Sequence, residues 1–125
     1  MAATKTGSVV ISAASSAPGS TYAAPSSGCQ SAAQSTTSSY GAMWTIRLSN
    51  GASAPSTGCT VQVDVSIDGT TWRSFNAVLG GLSANTAYDF CIEVPAEVLS
   101  TRVTAFGNAG NAVTVYAELS QLTAI

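Results

Sequence analysis

Residues 59–69 of the chain read CTVQVDVSIDG, and this stretch decides the fold. Every second residue is apolar, which is the two-residue period of a strand with one buried face. The apolar positions are Cys59, Val61, Val63, Val65 and Ile67. Asp68 and Gly69 follow as a turn pair that accepts positive φ, so we expect the chain to reverse there and return as a hairpin.

Similar patterns occur on both sides of this hairpin. Further strands are predicted at residues 43–49, 71–79, 88–94, 102–106 and 113–119, separated by loops rich in Gly, Asn and Pro. A short strand is predicted at 8–12 and one helical turn at 96–99, but no segment shows a sustained helical period. Six or seven short strands with turn signals every ~10 residues predict an all-β fold, an antiparallel β-sandwich or jelly roll.

The N-terminal part of the chain has a different composition. The run from Thr6 to Ile46 has no charged residue, and residues 13–40 contain no Val, Ile, Leu or Phe. A segment with so little apolar surface usually stays disordered unless a neighbour holds it. We therefore predict an extended N-terminal arm at residues 1–40, ordered by another subunit, and a β-sandwich domain at residues 41–125.

The composition of the chain restricts its partners. Only 8% of the residues are charged, against roughly 25% in ordinary soluble domains. Four basic residues and a net charge of −2 argue against nucleic acid as a partner. No stretch approaches the ~18 apolar residues of a membrane span, and none resembles a signal peptide, so we expect no membrane association and assembly in a cytoplasm.

The sequence offers few groups for catalysis. It contains no histidine, which removes the usual general base and the commonest metal ligand. The carboxylate pairs Asp64/Asp68 and Asp89/Glu93 are each four residues apart on a strand, or roughly 13 Å, which is too far for paired acid–base work. We expect no enzyme activity, no cofactor and no metal, and we interpret the acidic side chains as solvated residues on the outer faces of the sheets.

Three cysteines permit at most one disulfide bond within the chain. We expect all three to be reduced. By strand parity, Cys59 should point into the core and Cys91 should point away from it. The sequence leaves open whether Cys29 or Cys91 forms a bridge between chains.

Several stretches of the sandwich domain resemble small virion proteins of tailed bacteriophages. They are WTIRLSNG (44–51), GCTVQV (58–63), SIDGTTW (66–72), VPAEV (94–98), TRVT (101–104) and GNAGNAVTV (107–115). The resemblance spans residues 41–123. It implies a capsid decoration or cement protein, which is a β-sandwich or jelly roll bound to the outer shell, commonly as a trimer at local three-fold positions.

The residue patterns and the resemblance together give one hypothesis. The protein would be a virion protein on the capsid surface, assembled in the host cytoplasm and contacting the major capsid protein and copies of itself, as a homotrimer. The arm would add a strand to the sheets of its neighbours, and many copies would strengthen each weak contact. The candidate contact residues are Val9, Val10, Ile11, Tyr22, Tyr40, Arg47, Arg73 and Arg102, the arginines as salt-bridge donors to an acidic shell.

Three alternatives remain open from the sequence. The protein could be a tail, collar or fibre component of the virion. It could be a surface module that binds carbohydrate through Trp72, Tyr88 or Tyr116. It could also be a sandwich domain of a bacterial surface protein, which the missing secretion signal disfavours.

Overall fold

A computed structural model describes residues 3–124 of the chain. These residues form eight β-strands and no helix, so no helix in this range could cross a membrane. The strands are β1 (Thr4–Ser16), β2 (Gln34–Ser35), β3 (Ala42–Asn50), β4 (Thr60–Ser66), β5 (Arg73–Leu79), β6 (Ala87–Val94), β7 (Ser100–Phe106) and β8 (Val113–Ala124). The predicted strands after residue 42 are confirmed, although several bounds shift by one to five residues.

The strands form two four-stranded antiparallel sheets. Sheet 1 has the order β1-β8-β3-β6, and sheet 2 has the order β2-β7-β4-β5. The predicted hairpin is the β4–β5 pair, in which Thr60 lies opposite Leu79 and Val65 lies opposite Arg73. The antiparallel β-sandwich predicted from the sequence is therefore confirmed.

The core lies between the two sheets and is built from the alternating apolar residues. Trp44 of sheet 1 is fully buried, and its Nε1 donates a hydrogen bond to Oγ1 of Thr101 in sheet 2 at 3.0 Å. Thr101 in turn donates to the backbone oxygen of Asp64 at 3.0 Å. This chain of bonds satisfies the indole N–H inside the core, as a buried tryptophan requires.

The extended N-terminal arm predicted at residues 1–40 is not what the structure shows over the described part of that segment. β1 pairs with β8 along most of its length, from Thr4 opposite Ala124 to Ser16 opposite Val113. The predicted strand at 8–12 is the middle of this longer strand, and Ile11 is buried in the core. The neighbour that orders the segment is thus the chain's own last strand.

The rest of the uncharged segment follows sheet 2 closely. The backbone N–H of Ser31 donates to the oxygen of Val103 at 2.9 Å, and the oxygen of Cys29 accepts from Ala105 at 2.8 Å. Further along, β2 pairs with the start of β7. The prediction from composition was wrong because main-chain hydrogen bonds, and not apolar side chains, order this segment. Any residue except proline can donate such a bond.

Asn108 fixes the start of this segment to the β7–β8 loop. It is completely buried, its Oδ1 accepts a hydrogen bond from Ser16 Oγ at 2.7 Å, and its Nδ2 donates to the oxygen of Ser16 at 2.9 Å. Its backbone oxygen accepts from the N–H of Gly19 at 2.9 Å. One asparagine therefore joins the end of β1 to the β7–β8 loop.

Two local predictions were wrong. Residues 95–98 form a turn closed by a hydrogen bond from Val98 N to Pro95 O at 3.3 Å, in place of the helical turn predicted at 96–99. Ile67, predicted on the core face, is 67% exposed because β4 ends at Ser66 and the chain has already entered the hairpin turn.

The parity predictions for two cysteines are confirmed, because Cys59 is buried and Cys91 is exposed. No disulfide joins two of the three cysteines within residues 3–124. Burial raises the pKa of the Cys59 thiol to about 11. Burial likewise raises the pKa of Cys29, so both interior cysteines are held as neutral thiols.

Candidate functional site

The most exposed strand of the sandwich is β5, which lies at one edge of sheet 2. It pairs with β4 on one side only, so the backbone groups of its other side have no strand beside them. Of its seven residues, only Val78 is even partly buried. A sandwich strand ordinarily buries every second side chain, so β5 is an edge strand that the chain's own fold leaves uncovered on both faces.

Large apolar side chains are exposed along β5 and in the two loops joined to it. Phe75 and Leu79 of β5 are 43% and 63% exposed, and Ile67 and Leu82 in the flanking loops are 67% and 56% exposed. We call these four residues the β5 edge surface. Exposed apolar groups near a free strand edge are typical of a site that another protein covers.

The other sheet edges are better protected against strand addition. β6 carries the exposed carboxylates of Asp89 and Glu93, and it pairs with β3 without a break in register. β1 has three register irregularities along β8, and β2 has two residues. β5 has one bulge, between Val63 and Asp64 of its partner strand, and one charged residue, Arg73. Charges and irregularities are how proteins protect edges. β5 has one of each, and it differs from β6, which buries Ile92 and Val94, in having no buried side chain at all.

The outer face of sheet 2 holds a polar network that the sequence did not predict. Asp64, expected to be solvated, is 1% exposed. Its carboxylate accepts hydrogen bonds from Tyr22 Oη at 2.5 Å and Gln62 Nε2 at 2.8 Å, and from Arg102 Nε at 3.3 Å. Tyr22 brings the uncharged N-terminal segment into contact with this buried carboxylate. The bond to Asp64 also raises the pKa of Tyr22.

Two aromatic rings complete the network. The guanidinium carbon of Arg102 lies 4.4 Å from the centre of the Trp72 ring, a cation–π contact. The Tyr22 ring meets Phe106 edge to face, with ring centres 5.7 Å apart. The Tyr22 contacts attach the N-terminal segment to sheet 2. Two of the predicted contact residues, Tyr22 and Arg102, therefore have partners within the chain itself.

The predicted contact residues are spread over both sheets. On the N-terminal segment, Val9 and Tyr40 are 52% and 58% exposed, whereas Val10 packs partly against the core and Ile11 belongs to it. Arg47 pairs with Asp89 on the outer face of sheet 1. Arg73 is exposed at the start of β5. Only Tyr22 and Arg102 come together, through a hydrogen bond of 3.3 Å.

The three aromatic residues considered for carbohydrate binding do not share a surface. Trp72 lies against Arg102 on sheet 2. Tyr88 accepts a hydrogen bond from the backbone N–H of Ser83 at 3.1 Å, and its ring fills the space where a side chain at Gly81 would sit. Tyr116 alone lines a cleft, on the outer face of sheet 1.

Sequence reasoning missed Leu79 and Leu82 as surface residues. A signal was present, because these leucines flank the pair Gly80 and Gly81, where the chain was expected to leave the strand. Leu79 is the last residue of β5, and Leu82 lies in the loop that follows. Across residues 3–124, no three His, Cys, Asp or Glu side chains converge on a possible metal site.

Comparison with known proteins gives relatives in structure alone. No family model and no curated protein sequence matches the chain. The K3 cleaved adhesin domain of Lys-gingipain from Porphyromonas gingivalis is similar, with a TM-score of 0.57 and 14% identity over 87% of this chain and 73% of that one. A chain in the structure of infectious bursal disease virus, Gx strain, is also similar. Its TM-score is 0.54 and its sequence identity is 15%, over 97% of this chain and 32% of the viral chain.

A weaker likeness connects the chain to a prophage protein. YomS, from the SPBc2 prophage, has a TM-score of 0.49 and 14% identity, covering 96% of each chain. At these identities the two stronger likenesses show a shared fold. The sandwich of this chain is therefore a fold found both in a virus particle and in a bacterial adhesin.

Proposed function

We propose that this protein is a structural component of a bacteriophage particle, a decoration protein bound to the outer surface of the capsid. The β5 edge surface is the observation that carries the proposal, because it offers a free strand edge and exposed apolar side chains together. The partners are the major capsid protein and further copies of this chain, arranged as a homotrimer.

Strand addition to β5 explains how the contact forms. A strand of a shell subunit that lies along the free edge pairs with its open N–H and C=O groups, while Phe75 and Leu79 are covered by the partner's side chains. This role replaces the one first given to the N-terminal arm. The described part of that arm already satisfies its hydrogen bonds within its own sandwich.

The low charge of the surface supports a role in a large assembly. Only 8% of the residues are charged, so little desolvation opposes burial of the surface between subunits. A rigid two-sheet body repeated many times over a shell also makes a modest contact effective through multivalency. The resemblance of residues 41–123 to phage virion proteins and the shared fold with a virus chain support the same assignment.

The experiment is to express the chain with an epitope tag in cells producing the phage and to purify particles on a density gradient. We expect the tag to remain with the particles, and cryo-electron microscopy to show it as density on the head. Density on the tail would instead indicate a tail component, and absence of the chain from purified particles would overturn the proposal.

A matched pair of variants tests the contact itself. Phe75→Asp with Leu79→Asp places two charges on the β5 edge surface and should abolish retention on particles, because both carboxylates would have to be desolvated. Val9→Asp with Tyr40→Asp also places two charges on exposed apolar positions, 52% and 58% exposed and away from β5, and should leave retention unchanged. Light scattering on the isolated protein tests the trimer.

A further inference from the structure

We propose that the outer face of sheet 1 binds a neutral oligosaccharide, in a cleft centred on Arg47, Asp89 and Tyr116. This inference goes beyond the proposed structural role and does not depend on it. The cleft lies on sheet 1, whereas the β5 edge surface belongs to sheet 2.

The cleft has the size and the lining of a small-ligand site. Its volume is about 470 Å³, within the range of roughly 300–1,000 Å³ that is usual for such sites. The lining comes from outward-facing positions of β1, β3, β6 and β8, so all four strands of the sheet contribute. The lining residues are Ser12, Thr45, Arg47, Ser49, Asp89, Thr114 and Tyr116.

An ion pair with two hydrogen bonds lies among the lining residues of the cleft. Arg47 Nε donates to Asp89 Oδ1 at 2.7 Å and its Nη2 donates to Oδ2 at 3.0 Å. This two-pronged geometry holds both planar groups in one orientation, and the Arg47 guanidinium lowers the pKa of the Asp89 carboxyl. Both side chains remain 55% exposed, so their unused N–H groups and oxygen lone pairs are accessible to a ligand.

The charge of the cleft favours a neutral ligand. One positive and one negative side chain line it and neutralise each other, and the Glu118 carboxylate beside it accepts a hydrogen bond from Tyr116, so the cleft holds no unpaired cation that would attract an anion. A ligand that both donates and accepts hydrogen bonds fits such a pair. Ser12, Ser49 and Thr114 add hydroxyl groups with the same dual capacity. A sugar, whose ring carries a hydroxyl on most carbons, has this chemistry.

Tyr116 supplies the apolar part of the site. Its hydroxyl donates to Glu118 Oε2 at 2.9 Å, which fixes the ring on the sheet surface and raises the pKa of the tyrosine. The flat face of an aromatic ring matches the C–H face of a pyranose, which is the least polar surface of a sugar. Fixed orientation lowers the entropy lost when the ligand binds.

A second cleft on the same face gives room for more than one sugar unit. Its volume is about 460 Å³, and Tyr40, Met43 and Glu93 are among its lining residues. Both clefts follow β3, and the distance along that strand from Ser49 to Met43 is roughly 20 Å at ~3.3 Å per residue. The face therefore suits a linear oligosaccharide that follows β3.

The test is a glycan array probed with the full chain, carrying neutral oligosaccharides together with sialylated and sulfated glycans. We expect saturable binding to one or more neutral oligosaccharides. Binding to no glycan, or to the anionic glycans alone, would overturn the proposal. The best neutral glycan is then titrated by calorimetry against variants.

The variants separate ligand contact from loss of folding. Tyr116→Ala should weaken binding by about tenfold or more, while Tyr116→Phe, which keeps the ring, should stay within about threefold. Arg47→Lys keeps the charge and loses the two-pronged geometry, so it should also weaken binding by about tenfold. Unchanged affinity in both Tyr116→Ala and Arg47→Lys would overturn the site.

Two comparisons keep this result independent of the decoration role. Phe75→Asp with Leu79→Asp, on the other sheet, should leave glycan affinity unchanged. Tyr116→Ala should leave retention on particles unchanged. A protein that remains on particles but binds no glycan contradicts only the cleft, and one that binds glycan but is absent from particles contradicts only the decoration role.

Discussion

The hydroxyl of Tyr22 donates a hydrogen bond to Oδ2 of Asp64 at 2.5 Å, joining residues 42 positions apart. Asp64 is 1% exposed, so hydrogen bonds from the chain replace those that its carboxylate would make with water. Tyr22 is the only one of these partners that comes from the uncharged N-terminal segment; the other two, Gln62 and Arg102, belong to sheet 2. The segment is therefore part of the environment that makes a buried carboxylate tolerable.

Removing that hydroxyl should destabilise the fold. In Tyr22→Phe the ring contact with Phe106 is kept, but the Asp64 carboxylate loses one of its donors. We expect the free energy of unfolding to fall by about 1–3 kcal/mol, measured by urea denaturation. Ala23→Ser, at the exposed neighbouring position, is the control and should differ little from wild type. Equal stability of Tyr22→Phe and wild type would contradict the importance of this contact.

Deleting the N-terminal segment should destroy the fold. A chain that starts at residue 41 lacks β1, the strand that pairs with β8, and exposes the core residues that β1 covers. We expect it to show no cooperative thermal transition by circular dichroism. A truncated chain that unfolds cooperatively near the wild-type temperature would restore the interpretation of residues 1–40 as a separate arm.

The three thiols should react at different rates. Cys91 is exposed, whereas Cys29 and Cys59 are buried. A thiol reagent such as DTNB should label one cysteine rapidly in the native protein and all three in 6 M guanidinium chloride. Cys91→Ser should remove the rapid phase. Rapid native labelling of a second cysteine would show that the interior opens more readily than this fold allows.

Stability should fall at alkaline pH through the Cys59 thiol. Its pKa is raised from 9.0 to about 11 by burial, so the native state holds this proton more tightly than the unfolded chain does. The stability that the protonated Cys59 thiol contributes is fully present below pH 9 and is lost as the pH rises through about 11. Tyr22, whose pKa is also raised, acts in the same direction.

Urea midpoints of wild type and Cys59→Ala, measured from pH 7 to pH 11, check this expectation. The substitution leaves a small cavity, so the variant should start below wild type. The difference in urea midpoint between wild type and Cys59→Ala should then become smaller above pH 9, because only wild type loses the stability contributed by the protonated thiol. A difference that stays constant to pH 11 would argue against a buried neutral thiol at position 59.

The strands after residue 42 were predictable because each has one face in the core. Alternation along β3 and β4 marks Trp44, Ile46, Val61 and Val63 as inward residues, and all four are fully buried. The N-terminal segment could not be predicted in this way. Cys29 and Ser31 bind β7 through main-chain groups, which every sequence carries and which leave no pattern of side chains.

The candidate sites were harder to predict than the fold. Arg47 and Asp89 could be placed on outer faces by parity, but their pairing depends on the register of β3 against β6, and no sequence pattern fixes that register. The exposure of Phe75 depends on β5 lying at an edge, which is a property of strand order. Strand order was outside the reach of the sequence argument.

The antiparallel register of β1 and β8 brings Thr4 beside Ala124. Both ends of the described chain therefore emerge at one corner of sheet 1. Domains of this geometry are readily spliced into a surface loop of another protein or rewired into circular permutants. Residues 3–124 could therefore be inserted into a surface loop of a host protein with little change in the path of the host backbone.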